Sequence, residues 1–431
     1  MAQNHSKFLI LNSCFYLTFL MVILASIPFQ SCKRSLDKNE RILVSLKDSI
    51  NSRQFTELLS DSLWSKRDAY DAAHNLMIPL HYSFSSDDIS LQDAFHKHVK
   101  SFLEAEKNGN IRIEGLKELQ YLSLLSRYLS LASSESPVSN QLYHFLNDRF
   151  DYYWTENPAW QWGRDDFQGG IKKRITWKLT HTDSTYQYYN AFHDADFYVL
   201  GLAADLLQYT PKKDTSRTKK FQGAADLFFE IFNQRLDKTA RGWVFQKNIW
   251  RDHRDYAYSG FISRPGEHDE KHVAKNIQAD ASHSHRWPLW LLQISQVKRV
   301  KELQKRLKQQ LLHVVIEEEL SHKIGIPLLN NYMCGNNGYF RWNYATHKKT
   351  GYGPYELSGT FGLGYWSFLK GEKISDYYIM LSEAYPLRDS HKRLFKTISN
   401  RKRNKIIANV HENGLRKELA KMAAYLSRKD K

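Results

Sequence analysis

The stretch "DASHSHRWPLWLL", Asp280 to Leu292, places an acid, two histidines and an arginine within seven residues and then turns apolar. A carboxylate three residues from an imidazole can orient the ring and raise its basicity. A guanidinium grips a carboxylate through two parallel hydrogen bonds. Asp280, His283 and Arg286 therefore read as a set for proton abstraction next to a carboxylate, as in a uronic acid. In the purely structural alternative Asp280 caps a turn and His283 bonds to backbone. Pro288 separates the two halves of the stretch. Proline lacks an N–H and clashes inside a helix, but fits its first turn. The spacing thus predicts a helix from about Trp287 through "PLWLLQIS", with Asp280 to Arg286 on the loop that enters it. A helix N-terminus also favours anions.

A second constellation is "NNGYFRWNYATHKKTGYGPYELS". Tyr339, Arg341, Trp342, Asn343, Tyr344, Tyr352 and Tyr355 form an aromatic, hydrogen-bonding set of the kind that stacks on sugar faces. Asn343 can neutralise a carboxylate, and a tyrosine such as Tyr339 can act as general acid or base. Glu356 follows directly as a further polar contact. The bland alternative is a packed loop; polar-tipped aromatics are costly to bury unsatisfied, which favours a ligand role.

A third is "WTENPAWQWGRDDFQGGI". Trp160 and Trp162 offer stacking faces, and Asp166 offers a carboxylate. A glycosidase needs two carboxyls roughly 5 to 9.5 Å apart, from separate segments; Asp166 with Asp194, Asp196, Asp280 or Glu356 would supply them. The alternative is surface acids beside core tryptophans. "HDEKH", His268 to His272, with His283 and His285, could bind zinc, but it is not the metalloprotease motif. No P-loop, dinucleotide-binding glycine motif, serine-nucleophile elbow or paired CxxC occurs, so nucleotide, α/β-hydrolase and thiol redox chemistry are poorly supported.

These residues need elements to hold them. The 431 residues are 42% hydrophobic and 14% aromatic, enough for a large packed core. "IEGLKELQYLSLLSRYLSLA", "NQLYHFLNDRFDYYW", "HDADFYVLGLAADLLQYT", "FQGAADLFFEIFNQRL", "VKRVKELQKRLKQQLLHVVIEEEL" and "SGTFGLGYWSFL" all read as helices, separated by polar-aromatic loops. "RGWVFQKNIWRDHRDYAYSGF" reads as a short hairpin. No tight repeat of the solenoid kind is visible. Helical hairpins with long loops at one end suit a ring of helices closing on itself around a funnel, and loops of that length carry function.

Phe8 to Phe29 is almost uninterruptedly apolar after Lys7 and turns polar at Cys32, the pattern of an export leader. Ser31 before Cys32 points to cleavage and lipid attachment at the cysteine, as in bacterial lipoproteins. An uncleaved anchor or a plain secreted form are the alternatives. Residues 1–31 would be the signal peptide, 32–60 a tether and first helix, 61–389 the helical domain and 390–431 a basic helical tail. Cys334 would be the only cysteine besides Cys14 in the leader and the lipidated Cys32, so no internal disulfide is expected. The net charge of +16 falls to +15 without the leader, which favours polyanionic glycans or anionic lipid as partners. A cell-envelope location makes nucleic acid an unsuitable partner. From Ser390 on, thirteen basic residues face three acidic ones, which reads as a solvated terminal helix or an anion-attracting surface.

The run from about Leu116 to Leu369 resembles the all-α (α/α) toroid of glycan-active enzymes: polysaccharide lyases, unsaturated uronyl hydrolases and uronyl epimerases. "DASHSHRWPLWLL" is similar to an Asp-Gly-Ser/Gly-His element that precedes a helix in heparinase- and oligoalginate-type lyases, and "GYGPYELS" with "GTFGLGYWSFL" resembles a closing toroid helix. The lyase element usually continues with Phe-Glu and Ser-Pro; here Ser284 and His285 fill the first pair, only Pro288 matches, and no large β-sandwich follows. The resemblance implies a toroid with short β-hairpin insertions, acting on acidic polysaccharide or oligosaccharide without a cofactor. It also implies roles: His283 or Tyr339 moves the proton and Asp280 orients His283. Arg286 and Asn343 hold the carboxylate, Trp160, Trp162 and Trp342 form sugar subsites, and Arg341, Tyr355 and Glu356 are further substrate-binding candidates. A hydrolase built on Asp166 and a second carboxylate, or a non-catalytic glycan-binding lipoprotein on the same scaffold, are the alternatives.

Overall fold

The computed structural model describes residues 37–64, 68–111, 113–132, 136–210, 214–266, 268–295, 297, 300–342, 351–395 and 414–429. The expected leader, Cys32, Asn343 and Tyr344 lie outside them. Met1–Ile42 and Leu43–Lys431 are two separate units by internal contacts. Among the described residues no helix is long and apolar enough to cross a membrane.

The architecture is mostly helical. In chain order come α1 (Lys38–Ser49), α2 (Arg53–Leu59), α3 (Asp68–Ser86), α4 (Ile89–Lys107), α5 (Gly115–Ala132), α6 (Pro137–Asp151), α7 (Gly170–Thr180), α8 (Asp194–Tyr209) and α9 (Thr215–Arg235). Strands β1 (Leu236–Lys238) and β2 (Trp243–Phe245) then pair antiparallel, Leu236 opposite Phe245 and Lys238 opposite Trp243. They are followed by α10 (Ala281–Ser284), α11 (Trp287–Ile294), α12 (Lys301–Gln310), α13 (Glu318–Ile324), α14 (Glu372–Glu383), α15 (Asp389–Lys392) and α16 (Leu415–Arg428).

Local chemistry sets the boundaries. Asp88, Ser136 and Asp214 each accept a hydrogen bond from a first-turn backbone N–H, at Leu91, Ser139 and Arg217, the standard way to satisfy the orphan donors of a helix start. Pro137 and Pro288 both sit in first turns, where a missing N–H costs nothing. Pro79, inside α3, cannot donate to the carbonyl of Asn75 one turn earlier.

The buried faces then choose partners. α16 packs against α3, α3 against α5, α5 against α8, and α8 against α11. α11 meets the 3-10 segment Tyr365–Leu369, which returns to α16. Inside this circuit Arg127 and Asp205 form an ion pair that Ser126 and Gln293 complete by hydrogen bonds to Asp205 Oδ2 at 2.8 and 2.7 Å. Such a buried charge pair is tolerated because its lone pairs are satisfied.

Several sequence expectations change: "VKRVKELQKRLKQQLLHVVIEEEL" divides into α12, a π-helical turn at Leu311–Val315 and the start of α13, and the hairpin pairs β2 with β1, upstream of "RGWVFQKNIWRDHRDYAYSGF". "SGTFGLGYWSFL" is not one helix but two 3-10 segments, Ser358–Leu363 and Tyr365–Leu369, broken at Gly364. Gly364 has φ of 86°, and a Cβ there would lie 2.6 Å from Ile78 Cγ1, so the chain turns where only glycine fits. The C-terminal helix is not solvated. Leu415, Leu419, Met422, Ala423 and Leu426 of α16 are buried, and its Lys and Arg residues leave through the few open positions or, like Arg416, are buried themselves.

Candidate functional site

A cleft of about 610 Å³ opens where the loops before α7, α8 and α10 converge. Its walls include Trp160, Trp162, His193, Asp194, Trp250, Asp255, Tyr256, Asp280, His283 and Arg341.

Asp280 is the N-cap of α10, its Oδ1 accepting from the His283 backbone N–H at 3.1 Å. Because α10 is a single turn, the same geometry returns the His283 ring to the cap. Nδ1 of His283 lies 2.8 Å from Asp280 Oδ2. The structural and the chemical reading of this stretch therefore describe the same arrangement. Asp280 is buried, whereas the His283 side chain is 40% exposed. The Tyr256 hydroxyl donates to Asp280 Oδ2 at 3.0 Å, and the Ser282 hydroxyl to Oδ1. Burial pushes the Asp280 carboxyl up, but the charge and hydrogen bond of His283, the Ser282 hydroxyl and Arg341 outweigh it and hold it well below the usual carboxylate range. Burial, reinforced by that negative charge, pushes Tyr256 well above its ordinary value, so it stays a donor. A carboxylate that accepts from Nδ1–H leaves Nε2 of a neutral ring as the base.

On the same wall Arg341 is tied twice to Asp255: its backbone N–H donates to Asp255 O at 2.8 Å, and its Nε to Oδ2 at 3.2 Å. These ties hold Arg341 at φ of 57°, a left-handed conformation that costs an arginine about 1–3 kcal/mol. Its loop lies directly on the one after Tyr256, since a Cβ on Gly338 would stand 1.9 Å from Ser259 O.

Another part of the lining is aromatic. Trp162 meets Trp160, His193 and Trp250 at ring separations of 4.9, 4.6 and 5.8 Å. Arg174 fixes this wall by donating to the Trp160 carbonyl at 2.7 Å and to Asp196 Oδ1 through Nη2 at 2.6 Å. Asp196 in turn accepts from the His193 backbone N–H at 2.8 Å. Lys178 is buried with Nζ 2.9 Å from His193 Nε2. Burial, with Lys178 and Arg174 nearby, pushes His193 well below its ordinary value, so it stays neutral.

Of the sequence candidates, His283, Asp280, Arg341, Trp160 and Trp162 line the cleft together. Several others do not. Arg286 is buried and committed to protein: Nε donates to the Tyr198 hydroxyl at 3.0 Å, Nη2 meets His74 Nε2 at 3.0 Å, and Nη1 pairs with Asp194 at 3.3 Å. With the His283 carbonyl, 3.4 Å from Nη1, four partners take its donors, so it is a strut behind the cleft. Asp166 is exposed and outside the cleft, which removes the support for a carboxylate pair built on it. Trp342 is buried with Ala257 and Tyr258 in a small core cluster, and Tyr339 packs edge-on against it at 5.2 Å. Both brace the loop. Tyr355 and Glu356 lie outside the cleft, with Gly353 N–H donating to Glu356 Oε2 at 3.0 Å and Tyr355 N–H to Asn337 Oδ1 at 2.9 Å.

Among the described residues no group of three or more His, Cys, Asp or Glu is placed to hold a metal ion, so His268, His272, His283 and His285 do not gather as a zinc site. Sequence reasoning missed His193, Tyr256, Asp255, Arg174 and Trp250. "HDAD" at the start of α8, a histidine with two acids at a helix N-terminus, was the one local signal for the first. Comparison with protein-family models, with curated proteins and with solved structures finds no match to this chain.

Proposed function

We propose that this chain cleaves an acidic, uronic-acid-containing polysaccharide or oligosaccharide by β-elimination, with His283 as the base. The observation that carries this reading is the His283 ring, half exposed to an aromatic-walled cleft and held by a buried carboxylate that is itself satisfied by Tyr256 and Ser282. Nε2 takes the proton next to the uronate carboxylate, the freed electron pair forms the carbon–carbon double bond, and the glycosidic C–O bond breaks. The leaving oxygen then takes a proton from His283 or water. Arg341 and Arg254 line the same cleft and supply positive charge where the carboxylate gains negative character. Trp160, Trp162 and Trp250 suit stacking on sugar rings.

The closed circuit of packed helices supports reading the fold as an (α/α) toroid. Lipid attachment at Cys32 and a place in the cell envelope belong to the same proposal and rest on the leader sequence.

The purified chain, incubated with alginate, pectin and glycosaminoglycans, is expected to generate ultraviolet absorbance from an unsaturated product, and His283→Ala to abolish it. New reducing ends without that absorbance would replace elimination by hydrolysis. Polymer binding with neither signal would make the chain a binding protein.

A further inference from the structure

Behind His283 lies a second cavity, of about 120 Å³, that the elimination chemistry does not use. His283 and Arg341 line both spaces; Asp71, Asn75, His285, Thr360 and Arg416 line only this one. The chamber is assembled from α3, the α10 turn, the 3-10 segment Ser358–Leu363 and α16, residues far apart in the chain.

Three of its side chains are buried with polar atoms that find no partner among the described residues: Asn75 Oδ1, His285 Nε2 and Arg416 Nε. Their chemistry is specified by the bonds they do make. Asn75 gives its NH₂ to the Asp71 carbonyl at 2.8 Å, which leaves the amide oxygen as an acceptor. His285 Nδ1 meets the Ser282 carbonyl at 2.6 Å and must carry the proton. Burial and the charge of Arg286 push the ring well below its ordinary value, so it is neutral and Nε2 is a bare lone pair. Arg416 is 2% exposed, and its one hydrogen bond among the described residues runs from Nη1 to Gly362 O at 3.4 Å. Burial pulls its guanidinium down to about 10, with Tyr385 and Asp71 partly offsetting this. A buried cation without a hydrogen-bonded anion is expensive.

We propose that this chamber binds a hydroxy-carboxylate, with the carboxylate on Arg416 and hydroxyl groups donating to Asn75 Oδ1 and His285 Nε2. The acceptors exclude a bare anion as the full complement, because an anion brings no protons. The cation excludes a neutral sugar. Arg286 and Arg341 also line the chamber but are paired with Asp194 and Asp255, so Arg416 faces Asp71 as the unmatched cation, and Asp71 disfavours a second negative charge, which selects a monoanion over sulfate or phosphate. Two sources share this chemistry: the terminal uronate of a substrate reaching past His283, and a free sugar acid. The inference stands apart from elimination in the cleft.

Calorimetric titration of the intact protein with sodium D-glucuronate, at fixed ionic strength, tests it. Saturable binding is expected, with no heat from D-glucose and no displacement by sulfate. Arg416→Met should weaken binding at least about tenfold, the loss of a buried charge-assisted contact, and Thr360→Leu, which fills the chamber with hydrocarbon, should weaken it likewise. Asp166→Asn, which lines neither space, should leave it unchanged. Glucuronate binding that survives both Arg416→Met and Thr360→Leu, glucose binding as tightly, or no glucuronate binding at all would overturn the proposal. Competition by a uronate oligomer assigns the ligand to a substrate end; its absence assigns it to a free sugar acid. Glucuronate binding with no unsaturated product would sink the cleft reading alone, and the reverse result this one alone.

Discussion

The loop from Asp280 to Arg286 and the loop from Tyr339 to Glu356 look alike in composition: both mix ring side chains, histidines in the first and mostly tyrosines in the second, with an acid, an arginine and a proline in or beside the loop. They differ in what the fold leaves for them to bond. In the first loop a one-turn helix folds Asp280 back onto His283, and the ring's other nitrogen is left to the cleft. Among the described residues of the second, Trp342 enters a cluster with Tyr258, Tyr339 packs on Trp342, and Glu356 accepts from its own loop at Gly353. Among its described residues only Phe340 and Arg341 line the cleft. Polar aromatics thus signal a site only when their surroundings leave a polar atom for a ligand.

The widest test of this contrast is His283→Ala. If the first loop carries the chemistry, turnover of a cleaved uronate polymer should fall by roughly 10²–10⁴-fold, the usual worth of a general base. Melting temperature should fall as well, because buried Asp280 loses the imidazole that holds it charged, so turnover is compared per folded molecule. A loss below tenfold would break the comparison. Trp342→Ala is its mirror image. Urea denaturation should show about 3–5 kcal/mol of lost stability from the emptied core, with turnover per folded molecule kept. Unchanged stability with lost polymer binding would return Trp342 to the ligand.

A smaller effect separates the two histidines of "SHSH". His285 is held neutral by burial, while an unfolded chain protonates its histidines below about pH 6.5. Its folded value is the depressed one, so the stability it contributes is intact above about pH 6.5 and is lost as pH falls toward that folded value. His285→Asn should therefore flatten the stability profile below about pH 6.5, by up to one proton or about 1.4 kcal/mol per pH unit. An unaltered acid limb would mean that the ring is not neutral in the fold. The smallest expected effects are Tyr339→Phe and Asp166→Asn, each leaving turnover within about twofold because neither lines the cleft.

Much of this was legible locally. The 3.6-residue apolar spacing marked α5, α6, α8 and α9, Pro288 marked the start of α11, and the aromatic run after Gly242 marked β2. Asp280 and His283 were legible because they sit three apart, a distance that one helical turn closes without outside help. Arg286, in the same stretch, was misread for the same reason: its partners Tyr198, His74 and Asp194 come from two other helices and their flanks, and nothing near Arg286 announces them. Tyr256 and Arg174 escaped notice because each acts on a residue about twenty positions away.

By itself the sequence determined which segments become helices, where several of them start, and that one histidine would carry its own carboxylate, since these follow from periodicity, capping and proline sterics within a turn or two of chain. Only the tertiary structure decided which faces meet: that Trp160 and Trp162 line one cleft with His283, that Trp342 is core, and that Arg416 of the last helix closes a chamber beside residues of α3. Those outcomes depend on burial of apolar faces from distant segments, and burial is a property of the packed whole.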